Sequence, residues 1–424
     1  MRHLQLVNSL LTDRVVVFGS LPPGGRDADL LVRPADEEVL WRGLPADGFL
    51  RRGGTLVRFS PDGPEIVDLK PAAAWGLPTD ELSDLYAQGR ILPQFEKLVR
   101  PAPHHALLIL ARRLAQAGGE LPASHRERVE TALAEDPSAW EAARERAVAW
   151  RASAALAALE SAYRSSTRVS LAMRVGAITS EQRRRGGPRV ERAAAVVRAL
   201  VPRPRVGCVV ALSGLDGAGK SSQAACLREA LDRLGYRAVV EWPAIHGPSG
   251  FLRVMSRVGR RLVTLRPRAA GGGQEPPEAT GGSAHERSPF LTLVWSLIVS
   301  VRGAANVASK TWPHMARGRV VICDRYLLDS WVHLRHQFGG ERGYRPHMAL
   351  QRLLAPRPQR AYLIEVAPDV AARRKPERTP EENTERASLY RDLAPILGVR
   401  PIDGRLPPEE ICADLARDVW ESLG

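Results

Sequence analysis

The sequence predicts an α/β protein: a parallel sheet with helices on both faces over residues 205–424, preceded by a small α/β domain and a helical region. Three observations carry this reading. After residue 204, short apolar β-rich runs alternate with amphipathic helical segments, the rhythm that builds a parallel sheet. A glycine-rich turn, GLDGAGKSS from Gly214 to Ser222, joins the first of those strands to the first of those helices. Before residue 70, β-rich runs are separated by turn signals, and from about Leu82 to Ala172 the pattern becomes helical.

Taken in order, VVVF (Val15 to Phe18) and DLLV (Asp29 to Val32) are the first strands, and TLVRF and EIVDL follow. ALLILARRLAQAGG is a helix whose terminal glycine pair suits a C-terminus. Long Ala/Arg/Glu stretches continue the helical pattern to about Tyr163, and the basic segment EQRRRGGPRVER leads to prolines 202 and 204, which mark a boundary. Beyond it, GCVVALS, YRAVVEW, RVVICD, RAYLIEV and VRPID are five strands, and SSQAACLREALDRLG is the helix after the glycine turn. Residues 266–289 have no periodicity and much Gly and Pro, which marks a flexible insertion. The expected organisation is an α/β domain at 1–100, a helical domain at 101–180, a basic linker at 181–204 and the parallel-sheet domain at 205–424.

Composition narrows the partners. The chain carries 61 basic against 47 acidic residues, a net charge of +14. Lysine occurs only at Lys70, Lys97, Lys220, Lys310 and Lys375; the rest of the positive charge is arginine, which binds phosphate bidentately. Phosphorylated small molecules and nucleic acid both suit such a charge, although an Arg-rich composition alone explains it equally well. Aromatics are 5% of residues, too few for a base-stacking platform, so nucleic acid is the less favoured partner. The four cysteines, Cys208, Cys226, Cys323 and Cys412, have no ligand-like spacing, so neither a disulfide framework nor a zinc site is expected, and a reducing cytoplasm fits. The longest apolar run, Phe290 to Val301, is 12 residues and too short to span a bilayer, and the N-terminus lacks signal-peptide features; no membrane partner is expected.

The glycine turn satisfies G-x-x-x-x-G-K-S with Gly214, Gly219, Lys220 and Ser221, an apolar strand before it and an amphipathic helix after. Gly214, Gly217 and Gly219 let the backbone wrap an anion, so that N–H groups and the helix N-terminus at Ser221 and Ser222 point at phosphate oxygens. Lys220 is placed to reach the β- and γ-phosphates of ATP, and Ser221 to ligate Mg2+.

Two further stretches join this loop: CDRY, ending the third strand at Asp324, Arg325 and Tyr326, and a basic segment after the fourth strand with Arg373, Arg374, Lys375 and Arg378, trailed by LYRDLA. With them the region 205–424 resembles thymidylate kinase and its relatives among the nucleoside-monophosphate kinases. The resemblance implies ATP and Mg2+ as cofactors, Asp216 near the acceptor sugar, Arg325 on the acceptor phosphate, and Asp324 helping to place Mg2+. Lys220 acts on the transferred phosphate, and Arg373, Arg374 and Arg378 close over it as lid residues. Ala218 before the last glycine of the loop agrees with a catalytic arginine in the lid. Such kinases are commonly dimers, which makes a homodimer an expectation. Three departures leave the acceptor open: EWPAIHGPSG, with Glu241 and Pro243, lacks the family's arginine, Val299 stands where the family reads thymine with arginine, and the insertion falls inside the acceptor region. Trp295 offers a ring to stack on a base but reads more readily as core.

Upstream, Gly19 and Ser20 follow an apolar strand, Asp27 and Asp29 lie on one side of the next, and Asp68 adds a third carboxylate from another strand. Three converging carboxylates can hold divalent metal for in-line attack on an α-phosphate. This stretch resembles the polymerase-β-type nucleotidyltransferases, with six residues between Ser20 and Asp27 leaving little room for their intervening helix. That resemblance implies triphosphate contacts at Gly19 and Ser20 and Mg2+ at Asp27, Asp29 and Asp68. The expected function is ATP- and Mg-dependent phosphoryl transfer to a nucleoside monophosphate or related acceptor, with a nucleotidyltransferase-like domain attached. The alternative is a nucleic-acid-associated nucleotidyltransferase in which the P-loop domain is regulatory.

Overall fold

The computed structural model describes residues 2–18, 27–114, 121–165, 207–243, 289–338 and 345–423. They form two compact units, one over residues 2–60 and 64–165 and one from residue 207 onward. The turn residues Gly19 and Ser20, the glycine pair at 118–119, the basic linker and insertion residues 266–288 lie outside the described residues.

The first unit runs α1 (Arg2–Leu10), β1 (Val15–Phe18), β2 (Ala28–Val32), α2 (Pro34–Ala46), β3 (Leu50–Arg52), β4 (Thr55–Ser60), β5 (Gly63–Pro71), α3 (Thr79–Ala87), β6 (Arg90–Ile91), β7 (Leu98–Arg100), and then α4 (Pro103–Arg113), α5 (Ala123–Glu135), α6 (Ala139–Ala147) and α7 (Ser153–Ser165). Its sheet has the order β3-β4-β5-β2-β1-β7-β6. β1 and β2 are antiparallel, and β2 and β5 are parallel. Side chains alternate between faces along each strand. Val15, Val17, Leu30, Val32, Val67 and Leu69 therefore pack with Leu4, Val7, Leu40 and Leu44 from α1 and α2. The alternate positions Val16, Phe18 and Leu31 pack with Leu107, Leu110, Trp140 and Leu156 from the helical region. Asp29 and Asp68 fall in this second set, so the carboxylates lie on the face turned to α4–α7.

The second unit has a five-stranded, all-parallel sheet in the order β12-β11-β8-β10-β9, from β8 (Cys208–Gly214), β9 (Ala238–Glu241), β10 (Val320–Asp324), β11 (Arg360–Glu365) and β12 (Arg400–Asp403). In chain order its helices are α8 (Lys220–Arg233), α9 (Pro289–Ala316), α10 (Leu327–Phe338), α11 (Arg345–Leu354), α12 (Pro368–Arg374), α13 (Pro380–Leu397) and α14 (Pro408–Ser422). Every residue of β10 is buried, as expected for a strand covered on both faces. Val209, Ala211, Val321 and Cys323 pack with Val307 of α9, while α8 packs over β8 and β10 and against α14. The fold is α/β with a parallel P-loop sheet, as the sequence predicts. Among the described residues no helix is long and apolar enough to cross a membrane.

One expectation is corrected. Cys226 of α8 and Cys412 of α14 form a disulfide across 186 residues of sequence, with Cα atoms 6.1 Å apart. Spacing in the sequence could not reveal it, because the pairing follows from the packing of α8 on α14. The cysteine pattern therefore no longer argues for a reducing compartment. Cross-linking so distant a pair restricts the unfolded chain, and reduction is expected to lower the stability of this unit by about 2–4 kcal/mol. Urea titrations with and without reductant check this; Cys226→Ser should match the reduced protein and be indifferent to reductant.

Candidate phosphate site and carboxylate cluster

The parallel strands β8 and β10 end side by side, Asp324 opposite Leu212, which puts the glycine turn and the Asp-Arg pair at one edge of the sheet. That edge, at the carboxyl ends of the strands, is where open α/β sheets bind ligands. The turn needs its glycines. Gly214 and Gly217 have φ of 145° and 88°, and a Cβ on either would stand 2.6 Å from a carbonyl oxygen, that of Ile364 or Ala371. Gly219, also at φ 88°, opens α8 as its N-cap, so the first N–H groups of α8 face the turn.

Lys220 is buried, and its Nζ donates to the carbonyls of Gly214 at 2.9 Å and Leu215 at 2.7 Å. Burial lowers the pKa of its ammonium, against the opposing pull of Asp329, Asp216 and Asp324. Ser221 donates its hydroxyl to Asp324 Oδ2, whereas Asp324 Oδ1 is buried without a hydrogen-bond partner among the described residues. A hard cation takes oxygen ligands such as these, so the Ser221–Asp324 pair fits Mg2+. Ser222 is exposed at the start of α8.

Arg325 has φ of 85°, a costly conformation for a non-glycine residue of the kind concentrated at functional sites. Its backbone N–H donates to Leu212 O at 2.9 Å, and its guanidinium donates to Asp216. Arg378 reaches the other oxygen of Asp216 at 3.3 Å and also pairs with Glu382. Burial would raise the Asp216 pKa, but Arg325, Lys220 and Arg378 outweigh it and hold the carboxyl below its usual value. The three arginines expected in the lid thus differ in placement. Arg378 touches the glycine turn, Arg373 is exposed and paired with Asp369 one turn away on α12, and Arg374 is exposed.

Behind this edge stands a residue that sequence reasoning missed. Asp329, buried in the first turn of α10, accepts the N–H of Tyr326 at 3.0 Å and the hydroxyl of Tyr390 at 2.8 Å. It ties the Asp-Arg-Tyr strand end to α13, the helix that follows Arg378. At the far side of the site, Glu241 pairs with His314 at 3.2 Å and with Lys310 at 3.6 Å, so it faces α9. The side chains of Trp295 and Val299 lie outside the described residues.

In the first unit, Asp29 and Asp68 are register partners on parallel strands, and Asp27, Asp29 and Asp68 each bring a carboxylate oxygen within 4.8 Å of the other two. Arg113, at the end of α4, donates to Asp29 Oδ2 at 2.9 Å. Lys70 stands 3.1 Å from Asp68 and 3.7 Å from Asp29. Among the described residues Asp29 Oδ1 and Asp68 Oδ1 are buried without hydrogen-bond partners, so the cluster retains acceptors that fit a divalent cation. Burial, with Asp29 and Asp68 adding repulsion, pushes Asp27 up to about 6. Burial also raises Asp29, with Arg113 and Lys70 opposing. A cavity of about 630 Å³ in the same unit is lined by Phe18, Ile109 and Leu110 and by Arg100, Arg128 and Glu135. Arg128 is close enough to Asp27 and Asp29 to feel their charge.

The strand, glycine turn, helix and Asp-Arg strand end define the second unit as a P-loop kinase fold. The chain is 33% identical over 192 residues to the thymidylate kinase of Xylella fastidiosa strain M12, covering 44% of this chain and 73% of that protein. The thymidylate kinase of strain 9a5c is 33% identical over 190 residues, 76% of its length. The probable thymidylate kinase of Thermococcus kodakarensis is 31% identical over 121 residues, half of its length. This chain belongs to the thymidylate kinase family. No protein-family model matches it.

Proposed function

We propose that residues 205–424 form a MgATP-dependent kinase acting on a nucleoside monophosphate of the thymidylate type. The observation that carries this reading is the convergence of Lys220, Ser221, Asp324, Arg325 and Arg378 around one glycine turn at the carboxyl edge of a parallel sheet. An oxygen of the acceptor phosphate attacks the γ-phosphorus of ATP, the bond from that phosphorus to the β–γ bridging oxygen breaks, and ADP leaves with the electron pair. The acceptor phosphate is already ionised, so positioning and charge neutralisation supply the catalysis and no general base is required. Lys220 turns from its carbonyl partners toward the phosphates, Arg325 holds the acceptor, and Arg378 exchanges Asp216 for the transferring group. Arg373 and Arg374 join it when the lid closes. Ser221 and Asp324 would hold Mg2+, which would supply charge neutralisation at the phosphate oxygens.

The relatives' name supports thymidylate as the acceptor. The missing arginines near Glu241 and at Val299 make related phosphorylated acceptors the competitors. Turnover of ATP against a panel of nucleoside monophosphates and sugar phosphates, with products resolved by mass, tests this. Thymidine diphosphate as the preferred product supports the assignment, and a panel inert apart from sugar phosphates would falsify it.

The first unit, in this reading, comprises a nucleotidyltransferase-like domain at 1–100 and a helical domain at 101–180. Asp27, Asp29 and Asp68 would hold divalent metal there, and Gly19 and Ser20 would meet a triphosphate. An acceptor hydroxyl oxygen would bond the α-phosphorus as the bond to the α–β bridging oxygen breaks, and pyrophosphate would leave with that electron pair. The raised Asp27 has two consequences. Protons compete with metal, so Mn2+ affinity is expected to fall about tenfold per pH unit below pH 6. Because the folded pKa lies above the ordinary 3.8, Asp27 contributes its stability below about pH 4 and loses it as pH rises through about 6. Asp27→Asn should therefore stabilise the metal-free domain at pH 7 by about 1–2 kcal/mol while abolishing Mn2+ binding. Denaturation at pH 5 and pH 7, with Mn2+ titrations, checks both; unchanged Mn2+ affinity between those pH values would contradict the assignment.

A further inference from the structure

Away from both sites, the junction of α3, α4 and α6 brings together two histidines and a carboxylate. Asp84 lies on α3, and His104 and His105 lie in the first turn of α4. One ligand-capable atom from each lies within 4.8 Å of the other two. His105 is fully buried, stacked on Trp150 with ring centres 5.6 Å apart, and its ring centre is 4.1 Å from that of His104.

Hydrogen bonding leaves this cluster incomplete. Among the described residues neither nitrogen of His105 has a hydrogen-bond partner, and the same holds for His104 Nε2, although buried polar atoms ordinarily find one; Asp84 Oδ2 has the Arg146 guanidinium beside it. His105 Nε2 stands 3.5 Å from Asp84 Oδ2, beyond normal hydrogen-bond length. It is close to the separation of about 3.3 Å between two donors sharing a tetrahedral ion at bond lengths of about 2.0–2.1 Å. Around the cluster, Trp150 donates to Glu81 at 2.8 Å, and Arg146 bridges Glu81 at 3.2 Å and Asp84 at 2.7 Å. Glu81 thereby anchors the two side chains that pack around the donors.

We infer that Asp84, His104 and His105 form a binding site for a borderline divalent transition ion of the zinc class. Two imidazole nitrogens and one carboxylate oxygen suit Zn2+ or Co2+, not Mg2+, which demands oxygen donors. Water completes the tetrahedron, and Arg146 keeps Glu81 while ceding Asp84 to the ion. The ion ties α3 to α4, the helix whose other end carries Arg113 against Asp29.

The experiment uses the full chain, stripped with chelator and titrated with Co2+, whose visible absorption is intense in tetrahedral nitrogen–oxygen coordination and weak in an all-carboxylate site. One equivalent is expected to give the intense band. His105→Gln and His104→Gln should each abolish it and weaken Co2+ binding more than about 100-fold. Asp29→Asn, in the carboxylate cluster, should leave it intact. His104 is only half-buried, so His104→Gln decides the matter if His105→Gln misfolds by circular dichroism. No band in the wild type, or a band that survives His104→Gln and disappears in Asp29→Asn, overturns the site. Kinase turnover plays no part in the readout, so failure of either functional assignment leaves this test intact.

Discussion

Lys220→Ala is expected to reduce phosphoryl transfer by at least about 10³-fold while leaving the chain folded. Lys220 is the ammonium group on the glycine turn, and no arginine of the set can take its place from within the turn. Among the described residues it bonds two main-chain carbonyls, Gly214 O and Leu215 O. The alanine variant leaves those carbonyls to water or to α8 N–H groups, a cost of about 1–3 kcal/mol in stability. That is too little to explain a loss of three orders of magnitude in rate. Measuring kcat alongside urea stability separates the two effects. Turnover within tenfold of wild type would show that the loop does not carry the reaction.

The second large effect belongs to Arg325, and it comes with an internal control. Arg325→Ala and Arg325→Gly both remove the guanidinium from Asp216 and from the proposed acceptor phosphate. Each is expected to lower kcat/KM by about 10²–10³-fold. Both variants also leave Asp216 with Arg378 as its remaining direct ion-pair partner among the described residues, so both lose stability. They differ at the backbone, where φ of 85° suits glycine and costs an alanine roughly 1 kcal/mol. The glycine variant should therefore be the more stable of the two by about that amount at equal activity. Equal stability would show that position 325 is unstrained, and near-normal kcat/KM in either would remove Arg325 from the acceptor.

These two residues were legible in the sequence because the chemistry demands neighbours in the chain: a glycine turn wraps phosphate only when contiguous, and Asp324 and Arg325 end one strand together. The runs of β8 and β10 were legible for a similar reason, since strands buried on both faces read as unbroken apolar segments. What depends on packing was not visible. Arg373, Arg374 and Arg378 look alike in a basic run, and only the approach of α13 distinguishes Arg378. Asp27 and Asp29 announce a shared face by their spacing, but Arg113 reaches Asp29 from 84 residues away, at the end of a helix whose sequence reads as core. Strands β6 and β7, two and three residues long, fall below any period that a sequence can display. Cys226 and Cys412 met through the docking of two helices, and His104 and His105 carry no spacing motif until Asp84 is folded against them.

The proposed reaction moves the γ-phosphoryl group of ATP onto a nucleoside monophosphate. Its most direct test supplies ATP labelled in the γ-phosphate, Mg2+ and thymidylate to the wild type and to Lys220→Ala, and follows where the label goes. Label is expected in thymidine diphosphate, with one ADP formed for each, and none of either in the variant. Label appearing only in inorganic phosphate, or in the diphosphate at equal rates from both proteins, would contradict it.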